Sequence, residues 1–80
     1  MLLLNNVKHI LRAYGMREAY TQGGANILYC GQVAIRLIND YTIEMWDPSE
    51  TSSGSIQHFD SIEEKNNVIL ELGLEALGAI

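Results

Sequence analysis

The sequence predicts a small single α+β domain, with an N-terminal helix, an antiparallel meander of three to four strands and a C-terminal helix. Three observations point there. Apolar residues recur at three- and four-residue spacing near both ends of the chain. Between residues 26 and 46 that spacing gives way to β-branched and aromatic runs broken by short turn signals. A chain of 80 residues supports one core and no more. With 48% hydrophobic and 19% charged residues and a mean hydropathy of +0.03, the composition belongs to chains that fold.

Leu3, Leu4, Val7, Ile10, Leu11 and Tyr14 form one helical stripe, with Lys8, His9 and Arg12 opposite and Gly15 at the stop, which predicts a helix over about 2–14. Asn5 or Asn6 is an alternative cap for a shorter helix that would leave the leucines extended. Residues 16–25 are left open: Arg17-Glu18-Ala19-Tyr20-Thr21 has strand character, but Gly23-Gly24 interrupts it.

Strands are expected at about 26–30, 33–38 and 41–46, divided by Gly31-Gln32 and Asn39-Asp40. A two-residue Gly31-Gln32 loop pairs Cys30 with Val33 and Leu28 with Ile35. At the next turn, a two-residue loop would set Ile35 opposite Glu44 and bury a carboxylate in an aliphatic face. A three-residue loop, Asn39-Asp40-Tyr41, instead sets Arg36 opposite Glu44, Leu37 opposite Ile43 and Ile35 opposite Met45. That register is preferred, although Tyr41 is an unusual residue for the left-handed third position. Tyr29 and Trp46, with Ile27, Ala34 and Ile38, then share the face opposite the aliphatic one. That face is partly exposed if both helices pack on one side, and covered if they sandwich the sheet.

Residues 47–54 read as a loop with a mobile tip, and Ser55-Ile56-Gln57-His58-Phe59 again has strand character. Ser61 and Glu64 match a capping box, so a second helix starts there and runs to about 77. Glu64, Asn67, Glu71 and Glu75 make one stripe of it. Ile62, Val68, Ile69, Leu72, Ala76, Leu77 and Ile80 fill a broad arc opposite, which Leu70 and Leu74 extend. Gly73, inside the arc, is expected to mark a close approach to the sheet.

Charge has direction along the chain. Residues 1–36 carry Lys8, Arg12, Arg17 and Arg36 against Glu18, while residues 37–80 carry Lys65 against nine acids, giving −5 overall. A net acidic chain lacks the footprint of a phosphate-backbone binder, so direct nucleic-acid binding is not expected. An acidic face suits either a basic partner or solvent alone.

Catalytic patterns are weak. His58, Asp60 and the serines at 52, 53, 55 and 61 have the residue types of a hydrolase triad but no nucleophile elbow, and helix capping accounts better for Asp60 and Ser61. Cys30, His9 and His58 lack metal-ligand spacing, and Cys30 reads as a small core hydrophobe. Gly23-Gly24 is followed by no lysine of a phosphate loop. No enzyme activity, cofactor or metal is therefore expected.

In element order the chain resembles the double-stranded-RNA-binding domain in outline. That family has basic residues at the start of its second helix, where this chain has Glu63 and Glu64 followed by Lys65 alone. In size and acidity it is similar to small phage-encoded inhibitors of nucleic-acid enzymes, including anti-CRISPR proteins. That likeness of character rests on no motif and implies an inhibitor or regulator that mimics nucleic acid in a basic groove.

The expected function is thus a non-enzymatic acidic protein-binding module, with Glu50, Glu64, Glu71, Glu75, Tyr29 and Trp46 as the partner-binding residues. The alternative is a small-ligand or nucleic-acid binder using Lys8, Arg12 and Arg17. The wide apolar arc of the second helix predicts a homodimer through Val68, Leu70, Leu74 and Ile80, unless helix 1 covers that surface within one chain. A lone cysteine, no apolar run of membrane-spanning length and no signal-peptide pattern predict a cytoplasmic protein without membrane contact.

Overall fold

The first helix, α1 (Leu4–Ala13), uses its stripe as its spacing implies: Val7 and Leu11 are fully buried, while Asn5, Asn6, His9 and Arg12 face solvent. It begins at Leu4 with Leu3 as N-cap, so neither asparagine caps it, and the helix is shorter than the 2–14 reading at both ends. At its end the Gly15 N–H donates to the Arg12 carbonyl and the Met16 N–H to the Leu11 carbonyl, a Schellman arrangement that turns the buried Met16 back over the helix. The computed structural model describes residues 1–50 and 53–80. Thr51 and Ser52, at the tip of the 47–54 loop, lie outside the described residues.

Five strands follow: β1 (Arg17–Tyr20), β2 (Asn26–Cys30), β3 (Val33–Asn39), β4 (Thr42–Trp46) and β5 (Ser55–His58). They form one antiparallel sheet in sequence order. The expectation of three to four strands is therefore corrected to five. The added one is β1, where Arg17 pairs with Tyr29 and Tyr20 with Asn26. Gly23-Gly24 lies beyond this strand, in a turn closed by the Thr21 N–H on the Ala25 carbonyl, and so leaves it intact.

The hairpin registers agree with the side-chain argument. Cys30 pairs with Val33, Ile35 with Met45, Arg36 with Glu44 and Leu37 with Ile43. The extra residue is taken up differently, because the register shifts between Leu37 and Asn39 and Asn39 pairs with Thr42. Ile38 is thus a bulge in β3, and no described non-glycine residue, Tyr41 included, adopts a left-handed backbone. The Asn39 side-chain oxygen accepts from the Tyr41 N–H at 2.8 Å, which holds the tight Asp40-Tyr41 turn in place.

The second helix, α2 (Ile62–Ala76), starts where the capping box lies: the Ser61 hydroxyl accepts from the Glu64 N–H at 3.0 Å. Both helices pack on one face of the sheet. Val7, Leu11 and Ile69 meet Leu28, Cys30, Ile35 and Ile43 in a single core that Met16 and Phe59 complete. The opposite face has no helix. Gly73 differs from expectation in what it approaches, since a Cβ there would lie 2.6 Å from a Leu11 methyl. The missing side chain lets the two helices close on each other, and the sheet is not the partner. No described helix is long and apolar enough to cross a membrane.

At the far end of α2 the β2–β3 turn is pressed against the helix. Gly31 has φ +57° and a Cβ there would stand 2.6 Å from the Ala76 carbonyl oxygen, whereas at Gly24, with φ +85°, a Cβ would meet open space. Gly24→Ala should therefore cost only left-handed strain, about 1 kcal/mol. Gly31→Ala should cost about 2 kcal/mol or more, because two backbones must separate as well. Urea unfolding of the two variants measures the difference, and equal losses would show that the Gly31–Ala76 contact is slack.

Candidate functional site

Lys8 and Arg12 of α1 converge on one carboxylate, Lys8 largely covered and Arg12 from the solvent side. Lys8 Nζ lies 2.6 Å from Glu18 Oε2 and Arg12 contacts Glu18 Oε1 at 2.7 Å. Asn26 Nδ2 donates to Glu18 Oε2 at 2.9 Å and the Tyr20 hydroxyl donates to it at 3.1 Å. Lys8 also donates to Asn26 Oδ1 at 2.6 Å, closing the cluster between α1 and the β1–β2 pair. The Lys8 hydrogen bond, opposed by burial and reinforced by Asn26, holds the Glu18 carboxyl down from 4.5 to about 2. Of the cations in the alternative ligand- or nucleic-acid-binding set, Lys8 and Arg12 are thus committed and Arg17 is exposed.

A second cation is neutralised across the sheet, where Arg36 and Glu44 approach to 2.9 Å as their register requires. Arg36 Nε has no hydrogen-bond partner among the described residues. The last cation, Lys65, is 2% exposed on the inner side of α2 and makes no ion pair with a described residue. Burial pushes its ammonium below the ordinary lysine range, an effect that Asp40 partly offsets and Lys8 reinforces. Beside it Asn66 is buried, donating to the Leu2 carbonyl at 3.0 Å while its own side-chain oxygen has no partner. These two residues escaped the sequence reading because polar residues were assigned to the solvent side. Their positions three and four after Ile62, and four and three before Ile69, were the available signal.

Glu64, Asn67, Glu71 and Glu75 are exposed in one line along α2, on the side away from the core. None of the three glutamates is in an ion pair with a described residue. Glu50, in the β4–β5 connection, is exposed as well. Tyr29 and Trp46 lie on the helix-free sheet face with Ala34 between them, since Tyr29 pairs with Ala34 and Ala34 with Trp46. Ala34 is fully buried on that open face, covered by its two half-buried aromatic neighbours. The fold therefore separates the residues expected to meet a partner: the glutamates of α2 and the aromatic pair occupy opposite sides of the molecule.

Val68, Leu70 and Leu74 are half-buried against the core of their own chain, whereas Ile80 is 73% exposed. α1 lies alongside α2 and packs on it through Leu11 at Gly73. His58 shares a 3.0 Å hydrogen bond with the Thr42 hydroxyl, Asp60 is exposed and Ser61 is the helix cap. Ser52 of the triad set lies outside the described residues. Cys30 is buried, which pushes its thiol up to about 11. Among the described residues no three His, Cys, Asp or Glu side chains converge as a metal site.

Comparison with known proteins finds no matching family model, no matching curated protein and no matching solved structure.

Because Glu18 titrates lower folded than unfolded, the folded chain binds fewer protons between the two values. Its contribution to stability is therefore present above 4.5 and is lost as the pH falls toward about 2. Urea midpoints followed down through that window should fall more steeply for the wild type than for Glu18→Gln, and parallel declines would mean the Glu18 cluster is not what titrates. Replacing the buried Lys65 side chain, whose ammonium is partly desolvated and in no ion pair with a described residue, by an apolar isostere has the opposite sign: Lys65→Met should raise stability by up to about 1 kcal/mol. A lower urea midpoint for Lys65→Met would show that the ammonium is satisfied in solution.

Proposed function

We propose that this chain is a non-enzymatic binding module whose partner presents a basic surface. The observation that carries the reading is the disposal of charge. Four of the five Lys and Arg side chains are engaged within the chain: Lys8 and Arg12 pair with Glu18, Arg36 pairs with Glu44, and Lys65 is buried, although the Arg12 and Arg36 side chains keep contact with solvent. Among the described residues Arg17 is the one exposed cation outside an ion pair. The acids are treated in the opposite way, with Glu63, Glu64, Glu71 and Glu75 all exposed on one helix. The outward field of the molecule is thus more one-sided than its net charge of −5 suggests.

Such a field speeds encounter with a positive surface and is screened by salt. A groove lined by Lys and Arg, of the kind that holds a nucleic-acid backbone, is the partner class it matches. A protein that fills such a groove acts as an inhibitor or regulator. The Lys8, Arg12 and Arg17 alternative is less well supported, since freeing two of those cations would break their bonds to Glu18.

Affinity capture at low and moderate salt, from the organism that makes the protein, tests the reading when the wild type is run beside a Glu64→Gln, Glu71→Gln, Glu75→Gln variant. A partner rich in Lys and Arg should elute as salt rises and should associate severalfold more slowly with the variant. Unchanged association kinetics would reject the acidic face as the binding surface.

A further inference from the structure

We propose that the cleft between the β2–β3 turn and the last turn of α2 receives a lysine or arginine side chain of the basic partner; this rests on the reading above and gives it a seat. The cleft holds about 440 Å³ and is lined by Gly31, Gln32, Val33, Leu72, Glu75 and Ala76. Val33, Leu72 and Ala76 make an apolar trough, and Gln32 and Glu75 stand exposed at its rim.

Three acceptor features converge there. Glu75 is in no ion pair with a described residue. The helix end closes with the Leu77, Gly78 and Ala79 N–H groups on the carbonyls of Gly73, Glu75 and Leu74, so the Ala76 carbonyl receives no hydrogen bond from a described residue. That carbonyl abuts Gly31 at the cleft wall, at the negative pole of a 15-residue helix whose last turn has no basic residue. No described residue supplies the positive charge that this pole and Glu75 together favour.

The complementary guest has an apolar stem and a cationic tip, the construction of lysine and arginine. Its methylenes would lie on Val33, Leu72 and Ala76 while its head donates to the Glu75 carboxylate and the Ala76 carbonyl, with the Gln32 side-chain oxygen within the same rim. An anion would meet a carboxylate and the wrong end of a helix dipole. A wholly apolar guest would leave the charge unanswered.

The test uses the full ¹⁵N-labelled chain and follows backbone amide shifts during titration with N-acetyl-lysine methylamide, with N-acetyl-norleucine methylamide as the uncharged analogue. Saturable shifts centred on Gly31, Gln32, Val33 and Ala76 are expected for the lysine probe alone. Glu75→Gln should weaken them about fivefold, the upper end for a half-exposed ion pair. Glu64→Gln, on the same stripe but about 16 Å along the helix, should leave them unchanged. The undisturbed remainder of the spectrum confirms that each variant is folded.

Equal response to the norleucine analogue, absence of shifts at the cleft, or equal weakening by the two substitutions would each overturn the proposal. The wider reading fails separately. If capture of the basic partner survives Glu75→Gln but not the triple substitution, the cleft is wrong and the acidic face stands; if it survives both, the acidic face falls as well.

Discussion

The contact between Leu11 of α1 and the bare α-carbon of Gly73 in α2 is the constraint on which the architecture turns. With strands about 4.8 Å apart, a five-stranded sheet is about as wide as two packed helices. Both helices can therefore share one face of it only if they lie close together. A β-carbon at position 73 would lie 2.6 Å from a methyl of a leucine that is fully buried and has no free space to yield. Glycine there costs helix propensity of about 1 kcal/mol, and the tighter helix pair is what offsets it. From this one approach follow the single core, the helix-free sheet face and the outward direction of the α2 glutamates.

The same arrangement sorts the charges. α1 lies over the β1–β2 pair, which brings Lys8 and Arg12 down onto Glu18, and the sheet register brings Arg36 onto Glu44. α2 carries Lys65 inward with its core side, and the glutamates reach solvent because they lie roughly 100° round the helix from Lys65 and farther still from Ile69. Every lysine and arginine but Arg17 is engaged by local geometry, while the acids of α2 are left facing solvent. Net charge alone understates how acidic the accessible surface is. The cleft beside Gly31 is where that surplus meets apolar area, since the turn pressed on the helix end leaves a carboxylate, a spare carbonyl and three apolar side chains around one space.

Several elements were legible because their causes are local. The Ser61–Glu64 cap, the Gly15 stop and the two-residue Gly31-Gln32 turn each depend on residues adjacent in the chain. The β3–β4 register was legible for a different reason: a slip by one residue would place Glu44 in an aliphatic face, so the side chains themselves choose between the two pairings. β1 was not, because four residues with two of them charged hold a strand only through the neighbour they pair with. The Ile38 bulge was missed for a related reason. Turn length fixes how many residues must be absorbed, but whether the loop or the strand absorbs them is settled by strain, and Tyr41 would have had to adopt a left-handed backbone.

Sequence by itself determined the α+β class, both helices, three hairpin strands with their pairing, and the acid stripe of α2, since periodicity and short-range chemistry carry all of these. Tertiary structure alone decided that the helices share one face, that Gly73 serves the helix pair, that Lys65 and Asn66 are buried, and that Tyr29 and Trp46 lie on the far side of the molecule from the glutamates. It also made the cleft, whose lining comes from residues 31–33 and 72–76. These features belong to distances between segments that no local pattern encodes. They arise when burial of the aliphatic sheet face fixes where two helices lie, and a missing methyl group sets how closely they can approach.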